Sequence, residues 1–195
     1  MRTSPIDPDI VLVDSINQLT EMGRGKSVVA GSHGGLYPAY KAAVNQARAV
    51  ILNDAGRALD DSGIVCLEYC DKIGMAAAVV AHTSARIGDA DSMMETGVVS
   101  AVNRVARAAG CCEGMDCRDA AGILKNAPLW DGAPPPYQET RFLIVDDAPR
   151  VICIDSASLV KAEDAGQIVI TGSHGGLIGG KREKAFNVDA AVTVF

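Results

Sequence analysis

Short apolar runs alternate with stretches in which apolar residues recur every three or four positions, and this alternation predicts the elements of the chain. Ile10-Val11-Leu12-Val13 reads as a strand ending in Asp14-Ser15, followed by a short helix to about Met22, stopped by Gly23 and Gly25. Lys26 to Ala30 is a second strand. A helix follows from about Tyr37 to Arg48, with Ala42, Ala43 and Ala47 spaced for a packed face, and Ala49 to Leu52 is a third strand. A helix from about Ser62 to Ile73 opens on Asp60 and Asp61, since acidic residues complement a helix start. Met75 to Ala81 is a fourth strand. Ser92 and Glu95 have capping-box spacing and open a helix expected to run to about Ala109 through Gly97. Asp116 to Lys125 is a further helix, Pro134-Pro135-Pro136 a stiff connector, and Arg141–Asp146 and Arg150–Ile154 two strands.

The pattern then returns. Gly31-Ser32-His33-Gly34-Gly35-Leu36 recurs as Gly172-Ser173-His174-Gly175-Gly176-Leu177, an offset of 172 − 31 = 141, and ten of 23 positions are identical between 14–36 and 155–177. The likeness continues weakly from Ala49–Leu52 to Ala190–Thr193, where the sequence ends. The period is too long for a solenoid. It reads as a duplicated βαβαβ unit: a first repeat at about 10–109, a connector at 110–149 and a truncated second repeat at 150–195, in a single α/β domain over 1–195. Strands alternating with helices predict a mainly parallel, Rossmann-like sheet in a three-layer α/β/α sandwich.

Composition narrows the picture. The chain is 48% hydrophobic but 4% aromatic, so its core is built from Ala, Val, Ile and Leu, which suits strands buried on both faces. A net charge of −6 without a basic stripe argues against nucleic acid. No apolar run reaches membrane-spanning length, and Met1-Arg2-Thr3-Ser4-Pro5 lacks the apolar core of a signal peptide, so a cytoplasmic protein is expected. The six cysteines lack paired C-x-x-C spacing and read as buried thiols.

Ligands of open α/β sheets bind at the carboxyl ends of strands. Those ends carry Asp14-Ser15, Ser32-His33, Asn53-Asp54 and His82-Thr83-Ser84, then Arg86, Asp89 and Asp91, with Ser173-His174 in the second copy. All three histidines of the chain lie there. Short polar residues also cap helices and close turns at such positions, which accounts for serines and aspartates better than for three histidines. The expected catalytic set is Ser32, His33, Asp54 and His82; the expected ligand-binding set is Asp14, Ser15, Gly34, Gly35, Asn53, Ser84, Arg86, Asp89, Ser173 and His174. Histidine titrates near neutral pH and suits proton transfer, and Arg86 would hold a carboxylate or phosphate through its planar fork or pair with Asp89 or Asp91. The glycine turns expose backbone N–H groups that favour an anion, or meet a need for positive φ. They form neither G-x-G-x-x-G nor a Walker A loop, so no nucleotide cofactor motif is present.

Two local likenesses bear on the chemistry. Ala30-Gly31-Ser32-His33-Gly34-Gly35, between a strand and a helix, resembles the nucleophile elbow of α/β-hydrolases, with Ala30 (Thr171 in the second copy) in place of the first glycine. The resemblance implies a triad of Ser32, Asp54 and His82, which stand in the chain order of that family, although the family has more strands before its elbow. Ile51-Leu52-Asn53-Asp54-Ala55-Gly56, with Ser62-Gly63-Ile64, is similar to the start of SurE-type metal-dependent phosphatases. That likeness implies a metal, but the second aspartate ligand of the family is Ala55 here. A divalent ion would draw on Asp14, Asp54 and Asp89, or a transition metal on His33 and His82.

The expected function is a small-molecule enzyme, hydrolase-like, acting on an anionic metabolite. Its rivals are a non-catalytic ligand-binding protein, in which Ser173 and His174 matter as much as Ser32 and His33, and an assembly protein built on the two glycine turns. A homo-oligomer is expected in each case.

Overall fold

The computed structural model describes residues 1–173 and 186–195, and divides at Pro135/Pro136 into two compact units. The division falls inside the stretch read as a connector. In the first unit a six-stranded sheet runs in the order β1 (Arg2–Ser4), β2 (Asp7–Val13), β3 (Ser27–His33), β4 (Ala49–Asn53), β5 (Ala76–Val80), β6 (Val99–Val102). Strands β2 to β5 are parallel, and β1 and β6 close the two edges antiparallel. The α/β class and the mainly parallel Rossmann-like sheet are therefore present. The parallel strands follow one another in chain order, so strand order never reverses and the sheet has no switch-point crevice.

Strand alternation sends Ile10, Leu12, Val29, Ala49 and Ile51 to one side of the sheet and Val11, Val13, Val28, Val50 and Leu52 to the other. Both sides are buried, which is why these strands read as unbroken apolar runs. Helices α1 (Leu36–Val44) and α2 (Cys66–Ile73) cover the second side; α3 (Ala90–Thr96), α4 (Arg104–Ala108) and α5 (Cys117–Leu124) cover the first. Helix α5 buries Cys117, Ala120, Ala121 and Leu124, the i, i+3, i+4, i+7 face of an amphipathic helix. Helix α2 ends at Gly74, whose φ of 76° supplies the left-handed cap.

Three expectations fail in the first unit. Residues 16–23 form two 3-10 turns, Ile16–Gln18 and Glu21–Gly23, instead of one short helix. Asp60 and Asp61 do not lead a regular helix; both have left-handed backbones (φ 54° and 58°) within a 3-10 segment. The helix expected over 92–109 is interrupted by a strand. Asp89, not Ser92, is the N-cap of α3, accepting the Ser92 N–H at 2.9 Å, and Ser92 Oγ instead accepts from Arg86 N–H. Gly97 ends α3: a Cβ there would lie 2.4 Å from the Met93 carbonyl oxygen, and the β-branched pair Val98-Val99 then enters β6.

In the second unit a four-stranded sheet runs in the order β10 (Val192–Val194), β9 (Ile168–Thr171), β8 (Val151–Ile154), β7 (Arg141–Val145). Strands β8, β9 and β10 are parallel and β7 is antiparallel to β8. Several local features recur at the offset of 141. The 3-10 turns Ala157–Leu159 and Ala162–Asp164 sit where the first unit has Ile16–Gln18 and Glu21–Gly23. Val151 pairs with Ile168 as Ile10 pairs with Ser27, and Gly166 and Gly25 have φ of 72° and 70°. Strand β10 departs: Val192 faces Ile168, where the offset would place Ala190. A shift of two residues keeps each side chain on its own side of the sheet.

Candidate active site

Asp54 stands directly after β4 with its carboxylate nearly sequestered from solvent. Its Oδ1 accepts the backbone N–H of Gly56 at 2.9 Å and of His82 at 2.9 Å, and lies 3.0 Å from His82 Nδ1. Its Oδ2 accepts the Ser100 hydroxyl at 2.8 Å. Burial pushes the Asp54 carboxyl up, and these donors outweigh burial and hold it below the ordinary carboxylate value. A carboxylate only accepts, so the neutral His82 ring carries its proton on Nδ1 and keeps a free lone pair for Nε2, on a side chain 53% exposed.

The topology explains this meeting. Strands β4 and β5 are parallel neighbours, so residues 54 and 82 leave the same edge of the sheet. Strand β6 returns antiparallel and starts at that edge, which delivers Ser100. No sequence signal marked Ser100, because it fell in a stretch read as helix. The backbone after Asp54 is also unusual. Ala55, Arg57, Ala58, Asp60 and Asp61 all have positive φ between 49° and 65°, a conformation costing of order 1 kcal/mol for each such residue. The Arg57–Asp61 ion pair and the Arg57 N–H to Asp54 carbonyl bond hold that loop.

An open cavity of about 560 Å³ adjoins His82. Arg86, Asp89, Asp91 and Glu95 supply its charges. Asp91 pairs with Arg2 and Asp89 caps α3. The cavity hydroxyls of Ser84, Ser92 and Thr96 each bond to backbone: Ser84 accepts from Val98 N–H, Ser92 accepts from Arg86 N–H, and Thr96 donates to the Ser84 carbonyl. Asn53, fully buried, ties the cavity wall to β4 through its amide donating to the Ala85 carbonyl.

The other expected site residues have structural partners. Ser32 Oγ accepts the Ile16 N–H at 2.9 Å, and Ser173 Oγ accepts the Ala157 N–H at 2.9 Å. Ser15 caps the first 3-10 turn and Asp14 accepts the Ala90 N–H at the start of α3. His33 Nδ1 accepts the Gly35 N–H at 3.1 Å, and a Cβ on Gly35 would lie 2.4 Å from that ring. Gly34 packs against the Gly63 carbonyl, 2.5 Å from where its Cβ would be. Gly31 is enclosed by Asp14 O and by the Gly88-Asp89 backbone, its Cβ position 2.6 Å from Asp89 N. The glycines of the first turn thus serve close approach; none of Gly31, Gly34 and Gly35 has positive φ. His33 sits at the end of β3, two strands from His82, and is not among the cavity's lining residues, and neither is Ser32. His174 lies outside the described residues.

Among the described residues no group of three or more His, Cys, Asp or Glu converges on a metal position. Asp14, Asp54 and Asp89 each spend an oxygen on a backbone N–H, so they do not present a shared cage. Cys66 and Cys117 are buried thiols whose desolvation pushes both well above the ordinary thiol value, Cys117 to about 12, which leaves them unreactive. No described helix is long and apolar enough to cross a membrane. No protein-family model, curated protein or solved structure matches the chain.

Proposed function

We propose that the chain is a hydrolase for a small anionic metabolite, with His82 as general base for water and Asp54 as the group that fixes its tautomer. The observation that carries this reading is the His82–Asp54 pair, with a free lone pair on Nε2 of a half-exposed ring beside a charged cavity. Aspartate behind histidine stabilises the imidazolium that forms on proton uptake. Water is the nucleophile in this scheme, with the cavity's Ser84, Ser92 and Thr96 hydroxyls bonded to backbone and the hydroxyl of Thr83, which also lines the cavity, its rival. The Arg86 guanidinium, exposed on the cavity wall, would take the substrate's anionic group. Asp89 and Glu95 on the same wall disfavour a multiply charged phosphate, so a monocarboxylate suits the site better.

The test compares hydrolysis of an activated monoanionic ester, the 4-nitrophenyl monoester of succinate, with that of neutral 4-nitrophenyl acetate. His82→Gln should abolish turnover of both esters, Arg86→Gln should remove the preference for the charged one, and Ser32→Ala should leave both rates within a few-fold. Undiminished turnover in His82→Gln would end the reading. The rival reading of a scaffold without catalysis draws support from the glycine packing, and predicts that neither ester is turned over above background.

A further inference from the structure

The cavity beside His82 carries more negative than positive charge. Arg86, Asp89, Asp91 and Glu95 are its charged lining residues. Asp91 is matched by Arg2, which reaches it from β1. Asp89 spends one oxygen on the Ser92 N–H and has no ion pair among the described residues. Arg86 and Glu95 are exposed, and among the described residues neither side chain has a hydrogen-bond or ion-pair partner. The guanidinium of Arg86 therefore shares the cavity with two carboxylates, Asp89 and Glu95, that no cation neutralises. A simple anion drawn to Arg86 is repelled by both of them. A ligand that brings its own positive charge turns that repulsion into attraction.

Backbone contacts fix the opposite charges near one another. The Arg86 N–H donates to Ser92 Oγ at 3.0 Å. Ser92 and Glu95 stand three apart on α3, which makes them neighbours on one face with about 5–6 Å between Cβ atoms. Thr96, next to Glu95, donates to the Ser84 carbonyl at 2.6 Å, two residues beyond His82. Arg86 and Glu95 are thus tied to one wall and to the His82 segment, yet do not pair with each other. We propose that the substrate is a zwitterion, an amino-acid derivative whose carboxylate binds Arg86 and whose ammonium group binds Glu95, with Asp89 adding to the attraction. This substrate class rests on the reading of the His82 cavity as the active site, with Arg86 as its anion-binding group. Glu95 is then a specificity residue, since it attracts the ammonium group and repels carboxylates that lack one. The planar fork of Arg86 suits a carboxylate, and an ammonium group only donates, which suits a carboxylate acceptor. Esters and amides of an amino acid's side-chain carboxyl belong to this class, because their α-carboxylate and α-ammonium stay free and share one carbon.

The test uses the full chain and two probes that differ only in the ammonium group, the γ-methyl ester of L-glutamate and monomethyl glutarate. Binding is read by NMR from the shift of the His82 ring protons, assigned by their loss in His82→Gln, at low ionic strength because salt screens exposed charges. The glutamate ester should bind at least about tenfold more tightly. Glu95→Gln should remove most of that preference, Glu95→Lys should reverse it, and Arg86→Gln should weaken both esters. Glu95 is exposed and without a side-chain partner among the described residues, so both of its variants should fold, as circular dichroism checks. Equal affinity for the two esters, a preference that survives Glu95→Lys, or no shift with either ester overturns the proposal. Formation of free glutamate or glutarate reads hydrolysis separately. A glutamate ester that binds with the stated preference and is not cleaved refutes the hydrolase and leaves the zwitterion site standing. Cleavage of both esters through His82 at equal kcat/KM refutes the zwitterion and leaves the hydrolase standing.

Discussion

His82 and His33 should hold opposite tautomers, and Asp54→Asn should weaken the preference of only one of them. Asp54 Oδ1 lies 3.0 Å from His82 Nδ1, so neutral His82 keeps its proton on Nδ1. His33 Nδ1 instead receives the Gly35 N–H at 3.1 Å, so its proton sits on Nε2. A hydrogen bond to a charged group contributes about 1.5–3 kcal/mol, and about 1.4 kcal/mol is tenfold in population, so well over 90% of neutral His82 should be the Nδ1–H form. In Asp54→Asn the amide oxygen can keep the Gly56 and His82 N–H bonds, while the new NH₂ faces Ser100, whose hydroxyl also reaches the Val79 carbonyl at 3.4 Å. The fold should therefore survive at a cost of about 1–2 kcal/mol, the difference between a charge-assisted and a neutral acceptor. The Nδ1–H preference should weaken for His82 alone, because the amide oxygen left facing Nδ1 is a neutral and poorer acceptor. Long-range ¹H–¹⁵N correlation at alkaline pH reads both rings, with His33→Gln and His82→Gln supplying assignments. A wild-type His82 found mainly as Nε2–H, or a His82 tautomer unmoved by Asp54→Asn, would refute the reasoning.

Three further outcomes follow from the same contacts. Ser100→Ala removes one donor from Asp54 Oδ2, so the Asp54 carboxyl should titrate higher than in the wild type when followed by NMR. Gly31→Ala should cost about 1–3 kcal/mol and free the loop at 85–89 to hydrogen exchange, because its Cβ meets Asp89 N at 2.6 Å; Gly25→Ala, with φ of 70° and open space around it, should cost only about 1 kcal/mol and leave that loop protected. In the second unit the Arg141 guanidinium grips Asp164 through both oxygens, at 2.9 and 2.6 Å. That grip holds the Asp164 carboxyl below its ordinary value, so its stability contribution is present at neutral pH and disappears as pH falls below about 4. Arg141→Met should destabilise the unit by roughly 2–4 kcal/mol at neutral pH in urea denaturation and flatten the acid limb; an unchanged acid limb would assign the acid sensitivity elsewhere.

The sheet was legible in the sequence because strands buried on both faces write themselves as unbroken apolar runs. Ile10–Val13, Val28–Ala30, Ala49–Leu52 and Ala76–Val80 needed no other signal. The edge strands were harder. Strand β1, Arg2–Ser4, is polar and three residues long, and β6 hides in a stretch with good helix formers on both sides. There one glycine decides: Gly97 packs under Met93 and turns the chain, and an interior glycine in a helical pattern gives no hint from spacing alone whether it is tolerated or terminal. Misplacing β6 also hid Ser100, the hydroxyl that completes the shell around Asp54.

The candidate site shows the same division between what repeats and what reacts. The hexapeptide at 31–36 is the most conspicuous motif in the chain because close backbone packing tolerates only a few residue types at Gly31, Gly34 and Gly35. Its serine does the same work in both units, receiving the N–H that opens the turn after the first parallel strand. Such constraints come from local geometry, and local geometry recurs wherever the same strand–turn–strand unit is built. Asp54 and His82 meet in the first unit because β4, β5 and β6 run side by side there. A pairing made across three strands depends on topology, so spacing along the chain could place both residues at the right edge of the sheet without showing that they touch. The charged cavity lies at the edge where the chain leaves β4 and β5 and enters β6, so the same three-strand neighbourhood that joins Asp54 to Ser100 also sets the cavity beside His82.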